Sequence, residues 1–418
     1  MNCEDLMNIP GLRDGMRLVA GRKGLSRNIR WIYFADCSQC LKDEVDLRDL
    51  IHGEELVIVT NESLTGDDEK IIEMIRVMLS KDIAGFVINE GQISQPVADY
   101  CDAVNLPLYE LFVTLHLVDV SQIICSQLVE EENRNASRER LLASILYAES
   151  VQAREIYRQA NYLGIDLTKS SRIGILRMFL PEEAEGSVRP DEGDFLEMCE
   201  TLKKNVETGF RSCGLRHVMV LSQGRDIIFL LPAGNPDKEE LSDILQNLIR
   251  RNEAGYHVTI TAGIGTAYPY PEDLKKSYQE AKRSLTISSF AQNASRIYFY
   301  EDQGIYSLVA EIPDGKFLDG FMEKRIGRLI EADKVQEGKL CETLEAYLEH
   351  NCSANDTAEA LYIHRNTLRY RLDKIQKILD IDSIALPEAI ELQLAFAIQK
   401  YRAHRGGLSV VHDAQESL

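Results

Sequence analysis

The sequence predicts a multi-domain chain, two α/β blocks followed by an all-α end, and three observations carry that prediction. Its 418 residues exceed what one compact core organises. Apolar runs of strand length alternate with segments of helical apolar spacing twice, over residues 27–116 and again over 172–300. From 350 to 405 the strand-like runs stop and only helical spacing remains.

Composition narrows the class of function. Hydrophobic residues at 44% and charged residues at 27% suit buried cores and argue against a disordered or collagen-like chain. The formal charge of −20 opposes loose attachment to a polyanion, because phosphate affinity needs clustered Lys and Arg. Any nucleic-acid contact therefore has to be local. The first 16 residues include Glu4, Asp5 and Asp14 and hold no continuous apolar stretch, so no secretory signal is expected and the cytoplasm is the expected location. Residues 106–129 are the most apolar stretch, yet Glu110, His116 and Asp119 interrupt it, and no membrane partner is expected. Nine irregularly spaced cysteines read as reduced, mostly buried thiols. Cys37 and Cys40 have CxxC spacing but lack the second Cys or His pair of a zinc site, so no metal and no cofactor is expected.

In the first block, 28–35 and 56–60 are rich in β-branched and aromatic residues, 69–79 has helical spacing, and 84–88 is another apolar run. Residues 94–104 read as helix and 106–111 as strand. Residues 119–162 hold neither Pro nor an internal Gly and place Val120, Ile124, Leu128, Leu141, Leu142, Ile145 and Leu146 at helical spacing, which predicts one long helix. Its charged middle, 130–140, breaks the apolar seam, so a solvated connecting helix and a dimerising one both remain open. The second block predicts a strand at 172–180, an acidic loop at 181–194, a helix at 195–210 and two strands, 217–221 and 227–231, joined as a hairpin through Gly224. A helix at 238–251, a strand at 257–263, a helix at 272–287 and a strand near 296–300 complete it. Residues 305–347 read as connecting helices broken at Pro313 and Gly315, and the tail from Gly406 as frayed.

The most informative run is 355–375. Asn355 or Asp356 can cap a short helix; Ala358 and Leu361 face inward, Ala358 small enough for a second helix to cross closely, and Ile363 plugs the turn. Leu368, Leu372 and Ile375 form the apolar stripe of the second helix. Its other face is basic: residues 364–377 hold Arg365, Arg369, Arg371, Lys374 and Lys377 against Asp373 alone, a local +4 in an acidic chain. Because Arg bonds bidentately to guanine and Asn to adenine, Arg365, Asn366 and Arg369 are base-reading candidates; Tyr370, Arg371 and Lys374 are backbone contacts, with His364 and Thr367 at the same helix start. The competing reading is an amphipathic surface helix whose basic face is merely solvated; cap, small residue, turn plug and basic face coinciding favours the DNA reading. Residues 388–401 form a further helix, with Ile390, Leu394, Ala397, Ile398 and Tyr401 placed to pack under the pair.

The run Ile363-His364-Arg365-Asn366-Thr367-Leu368-Arg369-Tyr370-Arg371-Leu372 resembles the C-terminal helix-turn-helix of PucR-type regulators, named for purine catabolism, and of the related CdaR-type sugar-diacid regulators. Asn28-Ile29-Arg30-Trp31-Ile32-Tyr33-Phe34-Ala35-Asp36 and His52-Gly53-Glu54-Glu55-Leu56-Val57-Ile58-Val59-Thr60 are similar to that family's N-terminal sensory domain, with Asp36 where a glutamate is more usual and Asn61 where a glycine often lies. Gln223-Gly224-Arg225-Asp226-Ile227, Val258-Thr259-Ile260-Thr261-Ala262-Gly263-Ile264-Gly265 and Ala281-Lys282 resemble a degenerate GGDEF domain, the fold of diguanylate cyclases. A cyclase needs carboxylates for its divalent cations. Here Arg225 stands where the resemblance puts the metal-binding aspartate, and the first strand ends Met178-Phe179-Leu180 without an acid. The resemblance implies a PucR-like sensor at 1–120, a helical linker at 121–165, a ferredoxin-like, GGDEF-like α+β domain at 166–301, a helical connector at 302–347, the helix-turn-helix at 348–405 and a flexible tail at 406–418.

Other chemistries lack support. Residues 21–24 and Gly263-Ile264-Gly265 are too short for a phosphate loop, and GxxxxGK[ST], GxSxG and HExxH are absent. The expectation is a non-enzymatic, ligand-responsive transcription regulator of a catabolic operon. Expected partners are a double-stranded DNA operator, a small nitrogenous or carboxylated effector, a second copy in a homodimer or higher even oligomer, and RNA polymerase. Open α/β sheets bind ligands beyond the carboxyl ends of their strands, so Asp36, Thr60, Asn61 and Asn89 are the effector candidates. The rival reading is a catalytically inactive nucleotide sensor in which Gly224, Arg225 and Asp226 bind a guanine nucleotide.

Overall fold

The computed structural model describes residues 1–35, 47–148, 152–179, 192–215, 218–256, 258–290, 296–313, 315–336 and 339–409. They divide into two compact units, Met1–Ser137 and Arg138–Leu418.

The first unit is built on a five-stranded sheet of β1 (Met16–Ala20), β2 (Trp31–Phe34), β3 (Glu55–Val59), β4 (Gly85–Asn89) and β5 (Leu108–Leu111) in the order β1-β5-β4-β3-β2. β2 to β5 run parallel and β1 antiparallel to β5. All five residues of β3 are buried, and Leu56 to Val59 are apolar because a parallel strand covered on both faces has no polar side, while the buried Glu55 carboxylate accepts from the His52 and Gly53 N–H groups. Helices α1 (Cys3–Leu6), α2 (Glu62–Thr65), α3 (Asp68–Leu79) and α4 (Gln95–Ala103) supply the cover. Ile71, Met74, Ile75 and Met78 of α3 share one apolar cluster with Val97, Ala98 and Cys101 of α4, while Cys3 and Leu6 of α1 share the other with Val120 and Ile124 of α5 (Leu117–Tyr147). β1 is an element that the period-two and apolar-run signals missed, being a five-residue edge strand interrupted by Arg17.

The predicted continuous helix over 119–162 is corrected. α5 ends at Tyr147, and α6 spans Ala153–Tyr162. Ile156 and Ala160 of α6 lie in the same apolar cluster as Leu141, Leu142, Ile145 and Leu146. A straight helix would carry Ile156 about 15 Å beyond Leu146 at 1.5 Å per residue, out of that core.

The second unit opens with β6 (Ser171–Phe179), α7 (Glu192–Ser212), β7 (Met219–Gln223), β8 (Asp226–Pro232), α8 (Lys238–Tyr256) and β9 (Thr259–Ile264). Their strand order β9-β6-β8-β7 is the ferredoxin-like β-α-β-β-α-β arrangement, extended by α9 (Leu274–Ser288) and β10 (Ile297–Phe299), which pairs parallel with β9. α7 and α8 pack one face of the sheet; α6, α9 and the end of α5 pack the other. Gly263 and Gly265 have a packing role: a Cβ at Gly265 would lie 2.1 Å from the Ser277 carbonyl oxygen and one at Gly263 2.4 Å from that of Ala281, so α9 crosses directly on the strand backbone.

Helices α10 (Ile305–Glu311), α11 (Gly315–Met322), α12 (Arg328–Gln336), α13 (Leu340–Glu349), α14 (Ala354–Ala360), α15 (Arg365–Leu379) and α16 (Leu386–Ser409) complete the unit, with Gly406 inside α16 rather than in a frayed tail. The expected support role of α16 is corrected in its detail. Leu392, Ala395 and Phe396 pack under the helix pair with Leu340, Leu344 and Ile375, whereas Leu394, Ala397, Ile398 and Tyr401 pack with Ile287, Val309 and Leu318 of α9, α10 and α11, and Ile390 is exposed. α16 is thus apolar on two faces and joins two cores. Among the described residues no helix is long and apolar enough to cross a membrane.

Candidate nucleic-acid interface

α14 and α15 are set by local chemistry. Ser353 caps α14, its Oγ accepting from the Asp356 N–H at 3.5 Å, so the cap lies earlier than the expected Asn355 or Asp356. The reason is positional: Asp356 falls in the first turn, where its charge complements the helix dipole. Thr357 and Ala358 are buried, the Thr357 hydroxyl donating to the Ser353 carbonyl at 2.7 Å. The chain then turns at Leu361, Tyr362 and Ile363, with Tyr362 at φ +52° and the Ile363 N–H donating to the Ala358 carbonyl at 3.0 Å. His364 caps α15 in extended conformation, its Nδ1 accepting from the Asn366 N–H at 3.2 Å.

Leu368 and Ile375 are fully buried and Leu372 partly so, which anchors one side of α15 in the core. His364, Arg365, Asn366, Thr367, Arg369 and Tyr370 are exposed, with Tyr370 68% accessible. Spacing orders this face. Asn366, Tyr370, Asp373 and Lys377 recur at four and three residues, with Arg369 beside them, so they share one surface strip. Arg371 departs from the expectation of a backbone contact: three residues after Leu368 and four before Ile375, it turns back and donates from Nη1 to the Thr343 Oγ1 at 3.0 Å. Lys374 is half-buried at the edge of the strip. Tyr362, 96% exposed, stands beside His364 and was not singled out in the sequence; an aromatic where helix-helix turns favour glycine was the available signal.

In the first unit the structure brings together three of the four effector candidates. Thr60 and Asn61 follow β3 and Asn89 ends β4, the adjacent central strands, and the Asn89 Nδ2 donates to the Thr60 carbonyl at 3.4 Å. Asn61 also caps α2 by accepting from the Ser63 N–H at 3.0 Å. Thr65 and Gln92, not foreseen, join them through a 2.9 Å hydrogen bond from the Thr65 hydroxyl to the Gln92 Oε1. Asp36 lies outside the described residues.

Three family models match in order along the chain. Residues 5–128 match the purine catabolism regulatory protein-like family, 148–287 the GGDEF-like domain and 340–398 the PucR C-terminal helix-turn-helix domain. The chain carries, in order, the three matched domains of PucR/CdaR-type transcriptional regulators. It is 25% identical to the carbohydrate diacid regulator of Escherichia coli K12 over 75% of this chain and 78% of that protein. It is 26% identical to the proline-responsive transcriptional activator PutR of Bacillus subtilis 168 over 67% of this chain and 66% of that one. With the purine catabolism regulatory protein of Bacillus subtilis 168 it shares 31% identity over 35% of this chain and 27% of that one. These matches make the chain a DNA-binding transcription regulator, and α14 and α15 lie inside the matched helix-turn-helix domain.

The matched GGDEF-like domain carries its hairpin between β7 and β8, with Gly224 at φ +55° in the turn. Asp226 lies opposite Arg177 of β6, and the guanidinium holds both carboxylate oxygens, at 2.6 and 2.7 Å. Arg225 leans over the Phe195 ring of α7 at 6.0 Å. On the sheet's other side the Tyr147 hydroxyl donates to the Gln223 Oε1 and lies 3.2 Å from the Tyr278 hydroxyl, and burial pushes both phenols above the usual tyrosine range. Burial, aided by Arg177, holds the nearby Lys282 ammonium below the usual lysine range. The hairpin does not fit a divalent cation with a triphosphate, because its acid, Asp226, is already neutralised by Arg177.

Proposed function

We propose that this regulator reads its operator with the exposed strip of α15 and answers to a small nitrogenous or carboxylated metabolite held beyond the carboxyl ends of β3 and β4. The regulated genes form a catabolic operon, in keeping with relatives named for carbohydrate diacids, proline and purine catabolism. One observation carries the DNA reading: Arg365, Asn366 and Arg369 stand exposed at the start of a helix whose opposite side is sealed into the core by Leu368 and Ile375. A second copy of the chain supplies the other half-site, RNA polymerase is a further partner, and the protein works in the cytoplasm. The division at 1–120, 166–301 and 348–405 belongs to this proposal.

The middle domain, in this reading, serves assembly and not catalysis. The Arg177–Asp226 pair and the placement of Arg225 support that, and they weaken the rival guanine-nucleotide reading. Incubation with GTP and Mg²⁺ separates the two: neither cyclic dinucleotide nor saturable binding is expected.

The regulator reading is tested with the full chain on DNA of its own upstream region. Arg365→Ala and Arg369→Ala should each weaken selective binding roughly ten- to a hundredfold, as loss of a bidentate base contact does. Undiminished selectivity in both variants would remove α15 as the reader. Thermal unfolding with proline, a carbohydrate diacid or a purine breakdown product tests the effector, since a ligand at a hundred times its Kd adds about 2.7 kcal/mol of stability.

A further inference from the structure

An open concavity of about 590 Å³ lies where α14 meets the start of α15. Its floor is Ala358 and Ile363, and its rim carries Asn355, Glu359, Tyr362, His364 and Arg365. Four of those five are hydrogen-bond donors. Tyr362 stands out twice. Its backbone is in the left-handed region, where a bulky side chain is strained, and its ring is 96% exposed, so it gains no core packing in return. His364 uses Nδ1 to accept from the Asn366 N–H, which leaves the proton of the neutral ring on Nε2, outward on the rim. Glu359 is exposed near the carboxyl end of α14, where a negative charge opposes the helix dipole.

We propose that this concavity seats one backbone phosphate of the operator, with the Tyr362 hydroxyl, the His364 Nε2–H and the Asn355 amide as donors, and that Glu359 limits its affinity by repulsion. The inference rests on the DNA reading above and divides its labour. The strip of α15 sets which sequence is bound; the seat sets how tightly any duplex is held, because a phosphate carries no sequence information.

Tyr362→Gly is the deciding variant, since it separates function from folding. Glycine relieves the positive φ, so thermal stability should hold or rise, while affinity for operator and unrelated DNA should fall by the same factor, roughly three- to tenfold for one lost hydrogen bond and its contact area. Glu359→Gln should move the opposite way, tightening both duplexes, with a gain that shrinks as salt is raised. No unfolding artefact produces that gain. Unchanged affinity in both variants, with wild-type protein still selective for its operator, overturns the seat and leaves the α15 reading intact. A changed base preference in Tyr362→Gly also overturns it. Absence of selective binding by the wild type removes both.

Discussion

Arg177 and Asp226 show how a residue pair decides what a domain can do. Both side chains are 13% exposed, and each carboxylate oxygen accepts from the same guanidinium. Losing one partner strands a mostly buried charge, so Arg177→Leu should cost about 3 kcal/mol in urea unfolding, and the double variant Arg177→Leu/Asp226→Leu should recover most of it. A double variant as unstable as the single one would contradict that. The sequence revealed Asp226 and Arg225 at the hairpin but not the partner, because Arg177 meets Asp226 only through the pairing of β6 with β8. Arg371 teaches the converse. Its distance to Thr343 needed coordinates, but its placement on the buried side was readable from its spacing to Leu368 and Ile375.

At the scale of elements, the helix-turn-helix was legible because its signals are local: a small Ala358, an apolar stripe through Leu368 and Ile375, and a basic run against an acidic background. The cap at Ser353 was missed in favour of two neighbours with equally good capping side chains. β1 was missed for its length, and the end of α5 because nothing in 141–162 breaks helical spacing; burial of Ile156 and Ala160 in a shared core decides it. Gly263 and Gly265 were read as too short for a phosphate loop, and their use proves to be the close crossing of α9 on β9. Gly265→Ala should therefore destabilise the GGDEF-like domain by about 1–3 kcal/mol, the usual cost of overpacking, seen as a lower urea midpoint at unchanged slope. An unchanged midpoint would mean that α9 can move away freely.

For the molecule as a whole, the order of domains was readable from three separate resemblances, and the matched models fall in the same order. What joins them was not. α16 was expected to pack under the helix-turn-helix, and it packs Phe396 into that core but Ile398 and Tyr401 against α9, α10 and α11. The DNA-binding and GGDEF-like parts should therefore unfold together. Ile398→Ala, by emptying space on the second face at a cost of about 2–5 kcal/mol, should let the helix-turn-helix exchange its amide hydrogens earlier than the β6–β9 sheet. Equal protection in both parts of that variant would show that α16 does not couple them.

Sequence selection by this protein comes down to the exposed strip of α15 reading bases. Selection of bound duplexes from a random pool, done with the full-length wild type and with Arg369→Ala, tests it most directly. The variant should still select a motif but lose preference at one defined base pair per half-site, with the other positions kept. An identical motif from both proteins would contradict it.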